Sequence, residues 1–197
     1  MATTIDILCF DGVEELDAIG PYEAFGIAAA QGAPFDASLV TMEPRDRVTA
    51  AHGLRFEPDG VLSVAAPPDL VVVPGGGWND RDSAGAWAEA ERGAIPAALA
   101  DIHDAGTTVA AVCTGGMLLA RAGLLDGRPA VTHAGAIDDL REAGAEVVDA
   151  RYVDDGDVLT AGGITAGLDL ALHLIERLAG AEAAADVATH MEYDRQA

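Results

Sequence analysis

One cysteine in the sequence stands in a setting that suits nucleophilic chemistry. Cys113 follows the apolar run Val109–Val112 and precedes Thr114, Gly115 and Gly116, so a buried strand is predicted to turn directly into a helix here. Such a corner exposes the sulfur, and the free amides of a helix start favour the thiolate and lower the pKa of the thiol. We interpret Cys113 as a nucleophile; the alternative is a buried, inert cysteine.

A glycine-rich segment offers hydrogen-bond donors to that nucleophile. The apolar run 70–73 ends in Pro74–Gly77, at the edge where open α/β sheets bind ligands. Consecutive glycines leave backbone N–H groups accessible to developing negative charge. We expect Gly76 to donate beside the backbone N–H of Thr114; an ordinary turn is the alternative for this segment.

The remaining thiol and imidazoles have weaker claims on chemistry. Cys9 lies inside an apolar strand with no glycine after it, which is typical of a core residue. The chain has no CxxC motif or Cys/His cluster, so we expect neither a disulfide scaffold nor a metal site. The histidines without partners at metal-ligand spacing are interpreted as structural or surface residues: His52, His103, His173 and His190.

Short β-branched runs alternate with Ala- and Leu-rich stretches, which predicts an α/β fold with a mostly parallel sheet. The predicted strands are 5–10, 37–42, 70–73 and 109–112, with a hairpin excursion over 48–63 and short strands within 146–161. The predicted helices are 16–30, 96–105, 114–125, 136–143, 165–178 and a docking helix over 181–189. We expect Gly20-Pro21 to interrupt the first helix, because proline removes a backbone donor.

Composition narrows the range of partners. The 197 residues are half apolar and fit a single domain over 1–197. Their net charge of -22 repels phosphate backbones and anionic membranes, so neither nucleic acid nor a membrane is expected as a partner. The start lacks a basic leader, and we expect a cytoplasmic protein. All 11 basic residues are arginine, which favours a halophilic source; a GC-rich genome is the alternative.

Seven motifs follow one another in a characteristic order. They are Gly12-Val-Glu-Glu-Leu-Asp17, Gly20-Pro-Tyr-Glu-Ala-Phe25, Val71-Val-Val-Pro-Gly-Gly-Gly77, Ala111-Val-Cys-Thr-Gly115, Leu119-Ala-Arg-Ala-Gly-Leu-Leu125, Val131-Thr-His133 and Leu159-Thr-Ala-Gly-Gly-Ile-Thr-Ala-Gly167. This set resembles the DJ-1/PfpI superfamily, which is class I glutamine amidotransferase-like. Within it, the chain is most similar to the isocyanide hydratases and to the ligand-binding domains of AraC-type regulators.

The resemblance implies a flavodoxin-like sandwich that forms a homodimer and needs no cofactor. It also implies Cys113 as nucleophile and Asp17 as its acidic partner. Burial and like charge push a carboxyl beside a thiolate toward its protonated form, so that it can donate a proton. The alternative for Asp17 is a charge that stabilises a helix N-terminus, which is our interpretation of Glu14 and Glu15.

Two departures from the superfamily pattern bear on the activity. Thr114 stands where protease-like members have a histidine base, which disfavours a Cys-His peptidase. His133 is followed by Ala134 rather than by the tryptophan common in isocyanide hydratases, which alters the pocket. The residues expected to contact substrate are Gly77, Trp78, His133 and Ile164. For His133 we favour a role in fixing its loop over one in lining the pocket, and the alternative for Trp78 is a surface position without function.

Three functions remain open from the sequence. The first is cofactor-free hydration of an isocyanide to an N-formamide, with Cys113 and Asp17 as catalytic residues. The second is a glyoxalase or deglycase-like activity on α-oxoaldehydes. The third is a sensor in which Cys113 registers oxidants or a small ligand. The chain leaves no room for a helix-turn-helix domain, so a complete AraC-type regulator is not expected.

The charge balance predicts that the fold depends on salt. At -22, self-repulsion destabilises the folded chain unless counterions screen it. We expect the melting temperature to rise between about 0.1 and about 3 M KCl, and light scattering to give the mass of a dimer at high salt. An unchanged melting temperature contradicts the halophilic interpretation, and a monomeric mass contradicts the dimer.

Overall fold

The computed structural model describes residues 2–196, which form a seven-stranded sheet flanked by helices. The strands are β1 (Thr3–Leu8), β2 (Phe35–Thr41), β3 (Val48–Thr49), β4 (Arg55–Phe56), β5 (Gly60–Val61), β6 (Leu70–Val73), β7 (Thr108–Val112), β8 (Pro129–Ala130), β9 (Glu146–Val147), β10 (Tyr152–Asp155) and β11 (Val158–Ala161). The helices are α1 (Glu15–Ala30), α2 (Ala86–Arg92), α3 (Ala94–Asp104), α4 (Gly115–Arg121), α5 (Ile137–Glu142), α6 (Ala166–Ala179) and α7 (Ala181–His190).

The sheet is parallel except at one edge. Its order is β10-β11-β7-β6-β1-β2-β5, and only β10 runs antiparallel to its neighbour. Two small two-stranded sheets lie outside it, the hairpin β3–β4 and the parallel pair β8–β9. The predicted α/β fold with a mostly parallel sheet is therefore confirmed.

The central strands are apolar because helices cover both faces of the sheet. Every residue of β6 and β11 is buried, as are the last four of β7. The helices form two packed groups, with α1, α6 and α7 in one and α2, α3 and α4 in the other. The predicted docking helix is thus present as α7, which packs on α6 and α1.

Local corrections to the predicted elements have physical causes. Helix α1 continues through Pro21, because the missing N–H removes one hydrogen bond while packing on α6 and β2 retains the helix. Helix α4 ends at Arg121 rather than at 125, since Gly123 adopts a left-handed φ of 77° and stops it. Helix α2 was not predicted, and the hairpin excursion is confined to 48–56 because β5 pairs with β2 in the main sheet.

No helix within residues 2–196 combines the length and the apolar character needed to cross a bilayer.

The strand–helix corner after β7 requires a glycine at the start of α4. A Cβ added at Gly115 would lie 2.0 Å from the carbonyl oxygen of Val73 and 2.8 Å from that of Pro74. Helix α4 therefore begins in direct contact with the end of β6. This contact brings the residues after β6 and β7 to the same edge of the sheet.

We expect Gly115→Ala to destabilise the fold by about 3 kcal/mol, because its methyl group collides with backbone atoms that cannot rotate away. Gly116→Ala is the matched control in the same helix. There the nearest atom is the Thr132 hydroxyl oxygen at 3.3 Å, which a small side-chain movement relieves. Denaturant unfolding measures both variants, and equal losses contradict the close approach of α4 to β6.

Candidate active site

Cys113 occupies a strained backbone position at the corner between β7 and α4. Its φ is 56°, in the left-handed region that residues other than glycine rarely adopt. Its N–H donates to the carbonyl oxygens of Ala161 (3.1 Å) and Gly162 (3.0 Å), and its carbonyl accepts from the Thr132 hydroxyl at 2.7 Å. These bonds hold the corner in its left-handed conformation.

Two backbone amides hold the sulfur of Cys113. The N–H groups of Thr114 and Ile164 both donate to it, and each lowers the pKa of the thiol. Ile164 itself has a left-handed φ of 45° at the turn before α6. Two residues in unfavourable backbone conformations thus meet at one sulfur atom, which is typical of a functional site.

Asp17 lies behind this sulfur in the first turn of α1. It is fully buried, its Oδ2 accepts the N–H of Gly75 at 3.0 Å, and its buried Oδ1 has no partner of hydrogen-bond geometry in the described chain. Burial raises the pKa of Asp17 to about 7, and the negative charge of Glu14 adds to that rise. The hydrogen bond from Gly75 and the contact with the Cys113 thiol act in the opposite direction.

The expected lowering of the Cys113 pKa is wrong. Burial raises the pKa of this thiol to about 12, and the nearby charge of Asp17 is the next cause. The two groups form one coupled system in which a single negative charge is tolerated and a second is costly. The first proton leaves the pair near pH 7, mainly from Asp17, and the remaining proton stays mainly on the Cys113 sulfur.

Gly76 does not present the free amide that was expected of it. Its N–H donates to the Thr114 hydroxyl oxygen at 2.9 Å, so it is already engaged. A Cβ at Gly76 would also lie 2.4 Å from the carbonyl oxygen of Gly12. Gly76 therefore packs two loops together and orients Thr114, and the second amide at the sulfur comes from Ile164 instead.

A cavity of about 230 Å³ opens onto Cys113. Its lining contains Cys113 and the predicted residues Gly76, Gly77, Trp78, Thr114, His133 and Ile164, together with Glu14, Asn79 and Asp80. Asp17 is not part of this lining and reaches the cavity through its contact with the thiol. Glu14 was interpreted above as a helix charge, and Asp80 was not predicted. The position of Asp80 shortly after Gly77 was a sequence signal for it, whereas only the fold brings Glu14 to the cavity.

Trp78 and His133 form fixed walls of the cavity. Trp78 is 3% exposed, donates its indole N–H to Asp139 at 2.5 Å and packs edge-on against Trp87 at a centroid distance of 5.0 Å. The surface position considered for it is therefore wrong. The Nδ1 of His133 accepts the N–H of Gly135 at 3.0 Å, so this residue both fixes its loop and lines the cavity.

The other candidate groups lie outside the cavity. Cys9 is 1% exposed and burial raises its pKa to about 12, which confirms it as a core residue. His52 Nε2 lies 3.3 Å from Glu14 Oε2. Glu15 lies beside them, so that three possible metal-ligand atoms, one from each residue, are within 4.8 Å of one another. Sequence spacing could not reveal this cluster, because almost 40 residues separate its parts. Its members already bind one another, since Glu15 also accepts the backbone N–H of His52 at 2.7 Å.

The fold and the corner define a cysteine-centred α/β protein. The chain belongs to the DJ-1/PfpI family, whose model matches residues 3–177. An isonitrile hydratase of Pseudomonas putida is 35% identical over 98% of this chain and 79% of its own length. The transcriptional regulator CdhR of Pseudomonas aeruginosa is 34% identical over 71% of this chain and 40% of its own length. A THiJ/PfpI family structure from Pseudomonas syringae superposes with a TM-score of 0.86 and 29% identity, covering 100% of this chain and 77% of that one.

Replacing Asp17 by asparagine tests the raised pKa of its carboxyl through stability. That pKa is about 7 in the fold against 3.8 for an ordinary aspartate, so the folded chain binds the proton more tightly than the unfolded chain. The wild type therefore loses up to about 4 kcal/mol of stability as pH rises from 3.8 to about 7. Asp17→Asn avoids this loss, and we expect it to gain on the wild type across that range in denaturant unfolding.

Glu146→Gln, an exposed acid on β9, is the control for a simple change of net charge. It should show no comparable pH-dependent gain. A stability difference between Asp17→Asn and wild type that stays constant from pH 4 to pH 8 contradicts the raised pKa.

Proposed function

We propose that this chain hydrates a small isocyanide to the corresponding N-formamide, without a metal or an organic cofactor. The observation that carries the proposal is a buried carboxyl, with a pKa near 7, in contact with the one thiol that lines the cavity. The similarity to an isonitrile hydratase over almost the whole chain supports it. The reaction needs a soft nucleophile and a nearby acid at the same carbon atom.

The first step forms a covalent intermediate. The singly ionised pair contains a tautomer in which Cys113 is the thiolate and Asp17 the acid, and the amides of Thr114 and Ile164 favour it. The thiolate attacks the terminal carbon of the isocyanide while Asp17 delivers its proton to that same carbon. The product is a thioimidate, in which carbon is bonded to sulfur and hydrogen and keeps a double bond to nitrogen.

The second step releases the product and restores both groups. Asp17, now a carboxylate, takes a proton from water as the hydroxide adds to the thioimidate carbon, and passes that proton to nitrogen. The tetrahedral intermediate then gives its hydroxyl proton to Asp17, the C–S bond breaks, and the N-formamide leaves. Cys113 is again the thiolate and Asp17 the acid, so one water has been consumed.

The other two functions have less support at this site. Glyoxalase chemistry moves a proton between adjacent carbons and needs a base for that transfer. The position after Cys113, where protease-like members have a histidine base, is Thr114 in this chain. The similarity to CdhR favours a ligand-binding role, in which the same cavity holds a small molecule without turnover. Turnover assays separate these functions, because a sensor binds the ligand and leaves it unchanged.

We expect Cys113→Ala to abolish isocyanide turnover and Asp17→Asn to lower it at least ~100-fold, with the fold intact. In the wild type, kcat/KM should rise as pH passes about 7, where the pair loses its first proton, and then level off. Formamide release from a panel of isocyanides, assayed at high salt, measures both effects.

Matched controls are available for each group. Cys9→Ala removes the core thiol, and Asp6→Asn removes another carboxyl whose pKa burial raises, to about 6. Both should retain activity. Conversion of methylglyoxal but of no isocyanide, or an Asp17→Asn variant with most of its activity, contradicts the proposed reaction.

A further inference from the structure

The lining of the Cys113 cavity contains two acidic side chains. Glu14 and Asp80 line it, whereas no arginine lies among the lining residues that the structure describes. The other titratable groups there are His133 in the wall and Asp17 behind the sulfur. The net charge of the chain is -22, so the long-range field of the protein has the same sign as these carboxylates.

Among residues 2–196, the carboxylate of Glu14 has one ion-pair partner and caps no helix. Glu14 is the N-cap residue of α1, but its side chain makes no capping hydrogen bond. Its backbone is fixed instead, since its N–H donates to the carbonyl oxygen of Gly75 at 2.8 Å. Its one ion pair is with His52 at 3.3 Å, and that imidazole is 73% exposed to solvent while the Glu14 side chain is only 17% exposed.

The negative charge of Glu14 in the cavity lining favours some reagents over others according to their own charge. The same carboxylate acts electrostatically on Asp17, so its field reaches the reacting pair. A partly buried charge is screened by solvent much less than an exposed one. An anion entering the cavity therefore meets repulsion, a cation meets attraction, and a neutral molecule meets neither.

We propose that Glu14 makes the Cys113 cavity selective by charge, so that it admits small uncharged or cationic isocyanides and rejects those that carry a carboxylate. The term isocyanide rests on the proposed function. The charge selection does not, because it applies to any small reagent that reaches Cys113.

Three methanethiosulfonate reagents test the selection without requiring turnover. The ethylammonium, methyl and ethylsulfonate compounds transfer a cationic, a neutral and an anionic alkylthio group, respectively, to the same sulfur, and each releases methanesulfinate. Mass spectrometry follows modification of Cys113 in wild type, Glu14→Gln and Glu146→Gln, at the lowest salt that keeps each folded. Rates are divided by those of mercaptoethanol, which removes the intrinsic reactivity of each reagent.

In the wild type we expect the ethylammonium compound to react fastest and the ethylsulfonate compound slowest. Glu14→Gln should lower the cation-to-anion rate ratio at least ~threefold, while Glu146→Gln leaves it unchanged. Glu14→Asp keeps the charge and should keep the preference for the cation. An unchanged ratio in Glu14→Gln, or an equal fall in both glutamine variants, overturns the proposal.

The turnover assay separates this proposal from the proposed function. We expect kcat/KM for an aminoalkyl isocyanide to exceed that for a carboxyalkyl isocyanide, and Glu14→Gln to narrow the gap. If no isocyanide reacts while the reagent ratio falls in Glu14→Gln, the proposed function fails and the charge selection stands. If isocyanides react and neither ratio changes in Glu14→Gln, the charge selection fails and the proposed function stands.

Discussion

The coupled ionisation of Cys113 and Asp17 is the feature on which the rest of the site depends. Both groups are buried acids, and burial raises the pKa of each. One negative charge on the pair is therefore accessible near neutral pH, whereas a second is costly in free energy. Burial keeps the carboxyl of Asp17 from full ionisation at neutral pH. The backbone N–H groups of Thr114 and Ile164 stabilise a negative charge on the sulfur. In the proposed reaction, one pair therefore supplies both nucleophile and acid, without a separate base.

Several residues around this pair adopt strained backbone conformations. Cys113 and Ile164 both adopt left-handed conformations, and Gly75, Gly76 and Gly115 approach other backbone atoms so closely that a Cβ would collide. These positions follow β6, β7 and β11, neighbouring parallel strands whose carboxyl ends meet at one edge. The buried central strands of the sheet hold these unfavourable conformations in place.

Local pattern was enough to predict the sheet, most helices and the strand–cysteine–helix corner, whereas the role of Cys113 as nucleophile stays a prediction. Apolar runs fixed the buried strands, and the strand–Cys–Gly–Gly order marked the corner at Cys113. Asp17 came from family resemblance, because the pair is 96 positions apart in sequence and only the fold brings it together. The free amide of Gly76, the low pKa of the thiol and the break at Pro21 were wrong, since each depends on tertiary neighbours: the Thr114 hydroxyl, the depth of burial and the packing of α1.

The most direct measurement is the infrared carbonyl stretch of a protonated carboxyl, recorded as a difference spectrum between wild type and Asp17→Asn across pH. The account predicts a band assigned to Asp17 that disappears with a midpoint near pH 7. In Cys113→Ala the band should disappear at a different pH, because the carboxyl of Asp17 has lost its contact with the thiol. A band that disappears near the ordinary aspartate pKa of 3.8 contradicts the raised pKa of Asp17. A midpoint that is the same in wild type and in Cys113→Ala contradicts the coupling between the two groups.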